Sequence, residues 1–99
     1  MKRLIVACGS GVATSTTIAE RIKRRFEADS IDCKVEAVDY KSIDSELPSA
    51  NIYVYIAQPD AEVLADAERL NVDVYAGIPF LTGMGEDDVY ENILESVKK

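Results

Sequence analysis

Four short strand-like runs alternate along this chain with segments whose apolar residues recur at helical spacing, and that alternation restricts its fold most. Leu4-Ile5-Val6-Ala7 is a continuous apolar run, too short for a helix and rich enough in branched residues for a buried strand. Ile18, Ile22 and Phe26, with Ala19 beside them, then form one helical stripe that begins after Val12 and ends near Asp29. Lys34 to Val38 alternates as a strand nearer an edge would, and Tyr40 to Leu47 is charged and short, one or two helical turns closed by Pro48. Asn51 to Ile56 is a third strand. Pro59-Asp60 opens a helix with apolar positions Val63, Leu64, Ala67 and Leu70, where Asp60 suits a capping or first-turn role. Val72 to Tyr75 is a fourth strand. Glu86-Asp87-Asp88 opens a last helix that carries Val89, Ile93 and Val97 in line, with Tyr90 and Leu94 adjacent.

Strands that alternate with helices in this way imply a parallel sheet covered on both faces. The expected fold is therefore α/β: a four-stranded parallel sheet in the order 2-1-3-4, a Rossmann-like three-layer sandwich, with residues 1–99 forming one domain. In such sheets ligands bind beyond the carboxyl ends of the strands, where the strand order reverses. Here that point lies by strands one and three, and Cys8 ends strand one.

Composition narrows the chemistry. No apolar run approaches the ~18 residues of a membrane span, and the apolar stretch after Met1-Lys2-Arg3 is shorter than the ~7–15 residues of a secretory signal. These features predict a cytoplasmic chain. The formal charge of −7 argues against a nucleic-acid partner, which requires a basic face. Arg21, Lys23, Arg24 and Arg25 are a local exception, either a solvated helix face or a docking patch for an acidic partner. There is no histidine, so Cys–His dyads and Ser–His–Asp triads are excluded within the chain. Two cysteines without histidine make no zinc site, and neither metal nor cofactor is expected.

The loop Cys8-Gly9-Ser10-Gly11-Val12-Ala13-Thr14-Ser15 has the makings of a phosphate cradle. Glycines let successive N–H groups converge, and the start of a helix adds unpaired N–H donors and partial positive charge. The same field favours a thiolate at Cys8, while Ser10, Thr14, Ser15 and Thr16 offer neutral hydroxyl donors. The plain alternative is a small buried cysteine before an ordinary tight turn. Two nucleotide loops are excluded: the Lys of a Walker A motif is absent, and Thr14 stands where a dinucleotide fingerprint has its third glycine. Cysteine-dependent tyrosine phosphatases place an arginine six positions after the cysteine; this chain has Thr14 there. Without that guanidinium, transition-state charge lacks its bidentate partner. What remains is a thiolate able to accept a phosphoryl group and hold it, which suits a carrier. A small cysteine phosphatase, a thiol reductase and a non-catalytic binding module stay open as alternatives.

The stretch Ile5-Val6-Ala7-Cys8-Gly9-Ser10-Gly11-Val12-Ala13-Thr14-Ser15-Thr16 resembles the start of the enzyme IIB component of galactitol-type sugar phosphotransferase systems. Gly77-Ile78-Pro79-Phe80-Leu81-Thr82-Gly83-Met84-Gly85 is similar to that family's second characteristic loop, and lactose/cellobiose and ascorbate IIB classes are more distant. The resemblance implies a protein-phosphocysteine–sugar phosphotransferase. In it Cys8 takes the phosphoryl group from a phosphohistidine of enzyme IIA and passes it to a sugar or polyol at the membrane component IIC. Gly9, Ser10, Gly11, Val12, Ala13, Thr14 and Ser15 would hold the phosphate. It further implies peripheral association with the inner face of the membrane through IIC, and a sheet in the order 2-1-3-4.

Gly77 to Gly85 follows the last strand and emerges on the same edge as Cys8. Its Pro79, Phe80 and Leu81 either plug the core or offer an apolar tip on which IIA or IIC rests. Cys33 begins the second strand, on the edge of the sheet opposite Cys8, which makes a redox pair with Cys8 geometrically unfavourable.

Overall fold

The computed structural model describes residues 2–8 and 12–99, with Cys8, Val12 and Ala13 described by backbone only. The elements are β1 (Lys2–Cys8), α1 (Val12–Ala28), β2 (Cys33–Asp39), α2 (Ile43–Glu46), β3 (Ile52–Tyr55), α3 (Ala61–Arg69), β4 (Asp73–Ala76), α4 (Pro79–Thr82) and α5 (Glu86–Lys98). One 3-10 turn, Tyr40–Ser42, leads into α2 and another, Leu47–Ser49, leads out of it. The sheet has the order β2-β1-β3-β4 and every pairing is parallel, as the alternation implies. Its register sets Lys2 opposite Cys33, Cys8 opposite Asp39, and Ala7 opposite Tyr55.

Because side chains alternate along a strand, β1 feeds two cores. Leu4 and Val6, with Ile52 and Val54, pack beneath Ile18, Ile22 and Phe26 of α1, Phe80 of α4, and Tyr90 and Ile93 of α5. Ile5 and Ala7, with Tyr53, pack on the other face beneath Ile43, Leu47, Val63 and Ala67. Leu4, Ile5 and Val6 are wholly buried. At about 1.5–3 kcal/mol per large aliphatic side chain, burial fixes β1 as the centre of the molecule.

Local chemistry ends the helices where the strands must begin. After α1, Ser30 takes a left-handed conformation (φ 56°) and the Ile31 N–H bonds back to the Phe26 carbonyl at 2.8 Å. After α3, Asn71 does the same (φ 59°) and the Val72 N–H reaches the Ala67 carbonyl at 2.8 Å. Both are Schellman-type closures made without glycine.

Two details differ from the sequence expectation. The Gly77 to Gly85 segment contains a short helix, α4, ended by Gly83 in the left-handed region (φ 81°). On α5 the buried face is Tyr90, Ile93 and Ser96, while Val89, Leu94 and Val97 flank it. The rotation follows from polar anchors: the Tyr90 hydroxyl donates to Asp29 at 2.6 Å, and Ser96 and Tyr75 share a hydrogen bond. Arg25 of α1 stacks 3.9 Å from the Tyr90 ring centroid and bonds Glu86 at 2.8 Å and Asp87 at 3.0 Å.

Candidate functional site

Cys8 is the last residue of β1, the strand from which the sheet extends in both directions. Its backbone therefore lies at the carboxyl edge, at the point where strand order reverses, the position at which such sheets hold ligands. The α1 helix starts at Val12, so its amino end occupies the same edge. The N–H groups of Val12, Ala13 and Thr14 fall in the first turn, where no helical carbonyl is available to them, and they carry the positive end of the helix dipole. Gly9, Ser10 and Gly11 lie outside the described residues. Thr14 is half-buried and Thr16 exposed. Ser15 is completely buried.

The first arginine on α1 after the loop is Arg21, about two turns beyond Thr14, and its Nε bonds Glu86 at 2.7 Å. Of the four basic residues on this helix, Arg21 and Arg25 thus fasten α1 to α5, leaving Lys23 and Arg24 exposed without an ion pair among the described residues.

The segment after β4 is divided between the two roles considered for it. Phe80 is 1% exposed and packs into the core beside Ile18 and Tyr90, so it is not a docking residue. Its ring is the natural plug for the end of the sheet. Pro79 is half-buried. Leu81 remains outside, 43% exposed, and with it stand Ile78 at 41% and Met84 at 80%; these are the exposed large hydrophobic residues of the described chain. Ile78 and Met84 were not singled out from the sequence, where apolar residues between glycines read equally well as core. A groove of about 180 Å³ runs beside this tip, bordered by Thr17, Glu20, Arg21, Arg24 and Leu81.

On the other flank, the ends of three strands meet around a cleft of about 120 Å³ lined by Ala7, Tyr40, Ala57, Gln58 and Asp60. The Tyr40 hydroxyl accepts a hydrogen bond from the Asp60 backbone N–H at 3.0 Å, tying the loop after β3 to the turn after β2. Asp39, opposite Cys8 in the sheet, is held by its own turn, accepting from the Lys41 N–H at 3.0 Å. Asp60 occupies the N-cap of α3, yet its carboxylate makes no capping hydrogen bond. The capping role read from the sequence is positional only. A wider cleft of about 540 Å³, bordered by Lys2, Asn51, Asp73 and Lys99, opens at the amino edge of the sheet, away from Cys8.

Cys33 stands opposite Lys2 and Cys8 opposite Asp39, six residues further along β1. At about 3.3 Å per residue the two Cα atoms are roughly 20 Å apart, far beyond disulfide reach. Burial, then the nearby Asp32 charge, pushes the Cys33 thiol above its ordinary pKa. Cys33 is a partly buried residue at the edge of the α1-side core.

The fold and the loop at its switch point define a class: a small, doubly wound α/β domain whose central strand delivers a residue to a helix amino end. The chain belongs to the lactose/cellobiose-specific IIB subunit family of the sugar phosphotransferase system, whose characteristic sequence it matches over residues 3–92. Galactitol-specific EIIB components of Escherichia coli O157:H7 and Shigella flexneri are each 27% identical to it over 93 residues, spanning 94% of this chain and 93% of theirs. The lactose-specific IIB domain of the Streptococcus pneumoniae phosphotransferase system has the same fold, with a TM-score of 0.71 at 20% identity over 97% of this chain and 96% of that one. The protein is thus a phosphoryl carrier of a sugar phosphotransferase system, in agreement with the sequence resemblance. No helix among the described residues is long and apolar enough to cross a membrane.

Proposed function

We propose that Cys8 is the residue that carries the phosphoryl group. It accepts the group from a phosphohistidine of enzyme IIA and yields it to a sugar or polyol held by the membrane component IIC. The observation that carries this reading is the position of Cys8 as the final residue of the central strand, directly before the amino end of α1. Backbone N–H groups there suit a dianionic phosphoryl group, and the same positive field favours the thiolate that attacks phosphorus. Gly9, Ser10, Gly11, Val12, Ala13 and Thr14 supply donors to the phosphoryl oxygens in this reading, and Ser15 contributes through its backbone. A galactitol-type polyol is the substrate class favoured by the relatives, which are galactitol-specific. The carrier works in the cytoplasm, at the inner face of the membrane where IIC is reached.

The exposed Ile78, Leu81 and Met84 form a docking tip at the same sheet edge, on which IIA or IIC rests while Cys8 reacts. Incubation with phosphorylated IIA tests the assignment. The expected label is sensitive to acid and iodine, resides on Cys8, and disappears in Cys8→Ser. Label on any other residue overturns it.

A further inference from the structure

Resting on the carrier reading above, we propose that Asp39 tunes Cys8: its carboxylate opposes the positive end of α1, so that the phosphoryl group is held loosely enough to leave again.

The register of the sheet leads to Asp39. Cys8 and Asp39 are partners at the end of the β1–β2 ladder. Residues opposite one another in a parallel pair share a face, and neighbouring strands run about 4.8 Å apart. Cys33, Val35 and Ala37, at alternate positions before Asp39, pack with the α1-side core, as do Leu4 and Val6 of β1. Asp39 is still extended (φ −79°, ψ 134°), so the alternation runs to the end of the ladder and places it on that face too. One residue beyond the Ala7–Tyr55 pair stands Ile56, which packs on the same core. One beyond Ala76 stands Gly77, where an added methyl group would meet Ile18 of α1 at 3.5 Å. Across the sheet, Cys8 is therefore flanked by a carboxylate on one side and an aliphatic residue on the other.

Little else at this edge competes with that charge. On α1, Val12 to Ala19 are uncharged and Glu20 is the first charged residue; residues 77–85 carry no charge. Tyr40 and Tyr55 pack on the opposite face, and Asp60 lines a cleft there with Ala7. Lys41 gives Asp39 its backbone N–H at 3.0 Å, but Asp39 makes no ion pair among the described residues.

Two fields of opposite sign thus meet at Cys8. The amino end of α1 favours negative charge on sulfur and on a phosphoryl group. A carboxylate roughly 5–8 Å away disfavours both, and the product more than the reactant. Cys8 enters the transfer as a thiolate with one negative charge. As its S–P bond forms, the N–P electron pair stays with the donor, and the phosphocysteine dianion leaves one more negative charge beside Asp39. The carboxylate therefore raises the pKa of the thiol and pushes the bound group toward the next acceptor. A site built only to stabilise the phosphoryl group would keep it.

The test removes the charge and keeps the turn, because in Asp39→Asn the amide oxygen still accepts the Lys41 N–H. Ionisation of Cys8 is read from the pH dependence of iodoacetamide alkylation in a Cys33→Ser background. Asp39→Asn is expected to lower the midpoint by about 0.5–1 pH unit, and Asp39→Glu to keep it near that of the parent. Salt at about 0.5 M should shrink the difference between Asp39→Asn and the parent. At equilibrium with phosphorylated IIA, Asp39→Asn should hold roughly 3–10-fold more phosphocysteine than the parent. An unchanged midpoint, an equal shift in Asp39→Glu, a shift insensitive to salt, or an unchanged equilibrium overturns the proposal and leaves Cys8 as the carrier. Label from IIA on a residue other than Cys8 overturns the carrier reading, and this proposal falls with it.

Discussion

The phenol of Tyr40, at the end of β2, accepts the backbone N–H of Asp60, at the start of α3, across a distance of 3.0 Å. One hydrogen bond between residues far apart in sequence thus joins two loops beside the carboxyl end of β1. Tyr40→Phe removes that acceptor while keeping the ring. The expected result is a stability loss of about 0.5–1.5 kcal/mol in urea denaturation, with faster hydrogen exchange at the Asp60 amide. Unchanged exchange at Asp60 would show that the two loops are not joined there.

The sheet has a second point of close approach, at Gly77. A methyl group on it would lie 2.8 Å from Val54 Cγ1 and 3.0 Å from the Tyr55 carbonyl oxygen, in a core with no room to yield. Gly77→Ala is expected to cost about 1–3 kcal/mol and to disturb the segment carrying Leu81. Calorimetry together with NMR shifts of residues 77–85 checks both effects.

Tyr53 is wholly buried, and its hydroxyl has no hydrogen-bond partner among the described residues. Burial, with Tyr40 and Tyr55 nearby, pushes its pKa well above the ordinary tyrosine value. An unpaired buried hydroxyl has given up its water without recompense. Tyr53→Phe is therefore expected to leave stability unchanged or raise it by up to about 1 kcal/mol. A loss of more than that in thermal denaturation would contradict an unpartnered hydroxyl.

Acid stability depends on Arg3, whose Nε donates to Glu36 at 3.0 Å. That bond holds the Glu36 carboxyl below its usual pKa near 4.5. A lowered acid contributes stability that is complete above its unfolded pKa and disappears as pH falls through the folded value. Glu36 is partly exposed, so the contribution is less than about 1 kcal/mol. Melting temperatures measured downward from pH 5 should fall less steeply in Glu36→Gln than in the parent.

Partial burial bears on the chemistry of Cys33. Desolvation raises its pKa, so it holds less thiolate at neutral pH than an unperturbed cysteine. In Cys8→Ser protein, iodoacetamide should modify Cys33 more slowly than it modifies a free cysteine peptide. Cys33→Ser should leave phosphoryl acceptance intact.

The sequence was informative wherever spacing alone carried the physics. Leu4 to Ala7 is apolar on both sides because both faces of a central parallel strand are covered, and this made β1 recognisable without coordinates. The alternation of elements implied a parallel sheet, right-handed crossovers narrowed its order to the 2-1-3-4 that is observed, and Cys8 ends strand one because the apolar run Leu4 to Ala7 stops there. Asp60 shows where such reading stops. Its type and place suit a cap, and only the three-dimensional arrangement reveals that its carboxylate makes no capping bond while its backbone N–H reaches the Tyr40 hydroxyl.

By itself, then, the sequence determined the layers and the parallel sheet, because hydrophobic period acts locally. Tertiary structure decided which members of one apolar segment are buried. Phe80 and Leu81 are neighbours of similar character, yet the short α4 turns Phe80 into the core and leaves Leu81 in solvent. It also decided that Arg21 and Arg25 are spent on α5, because an ion pair exists only once two distant helices are packed together.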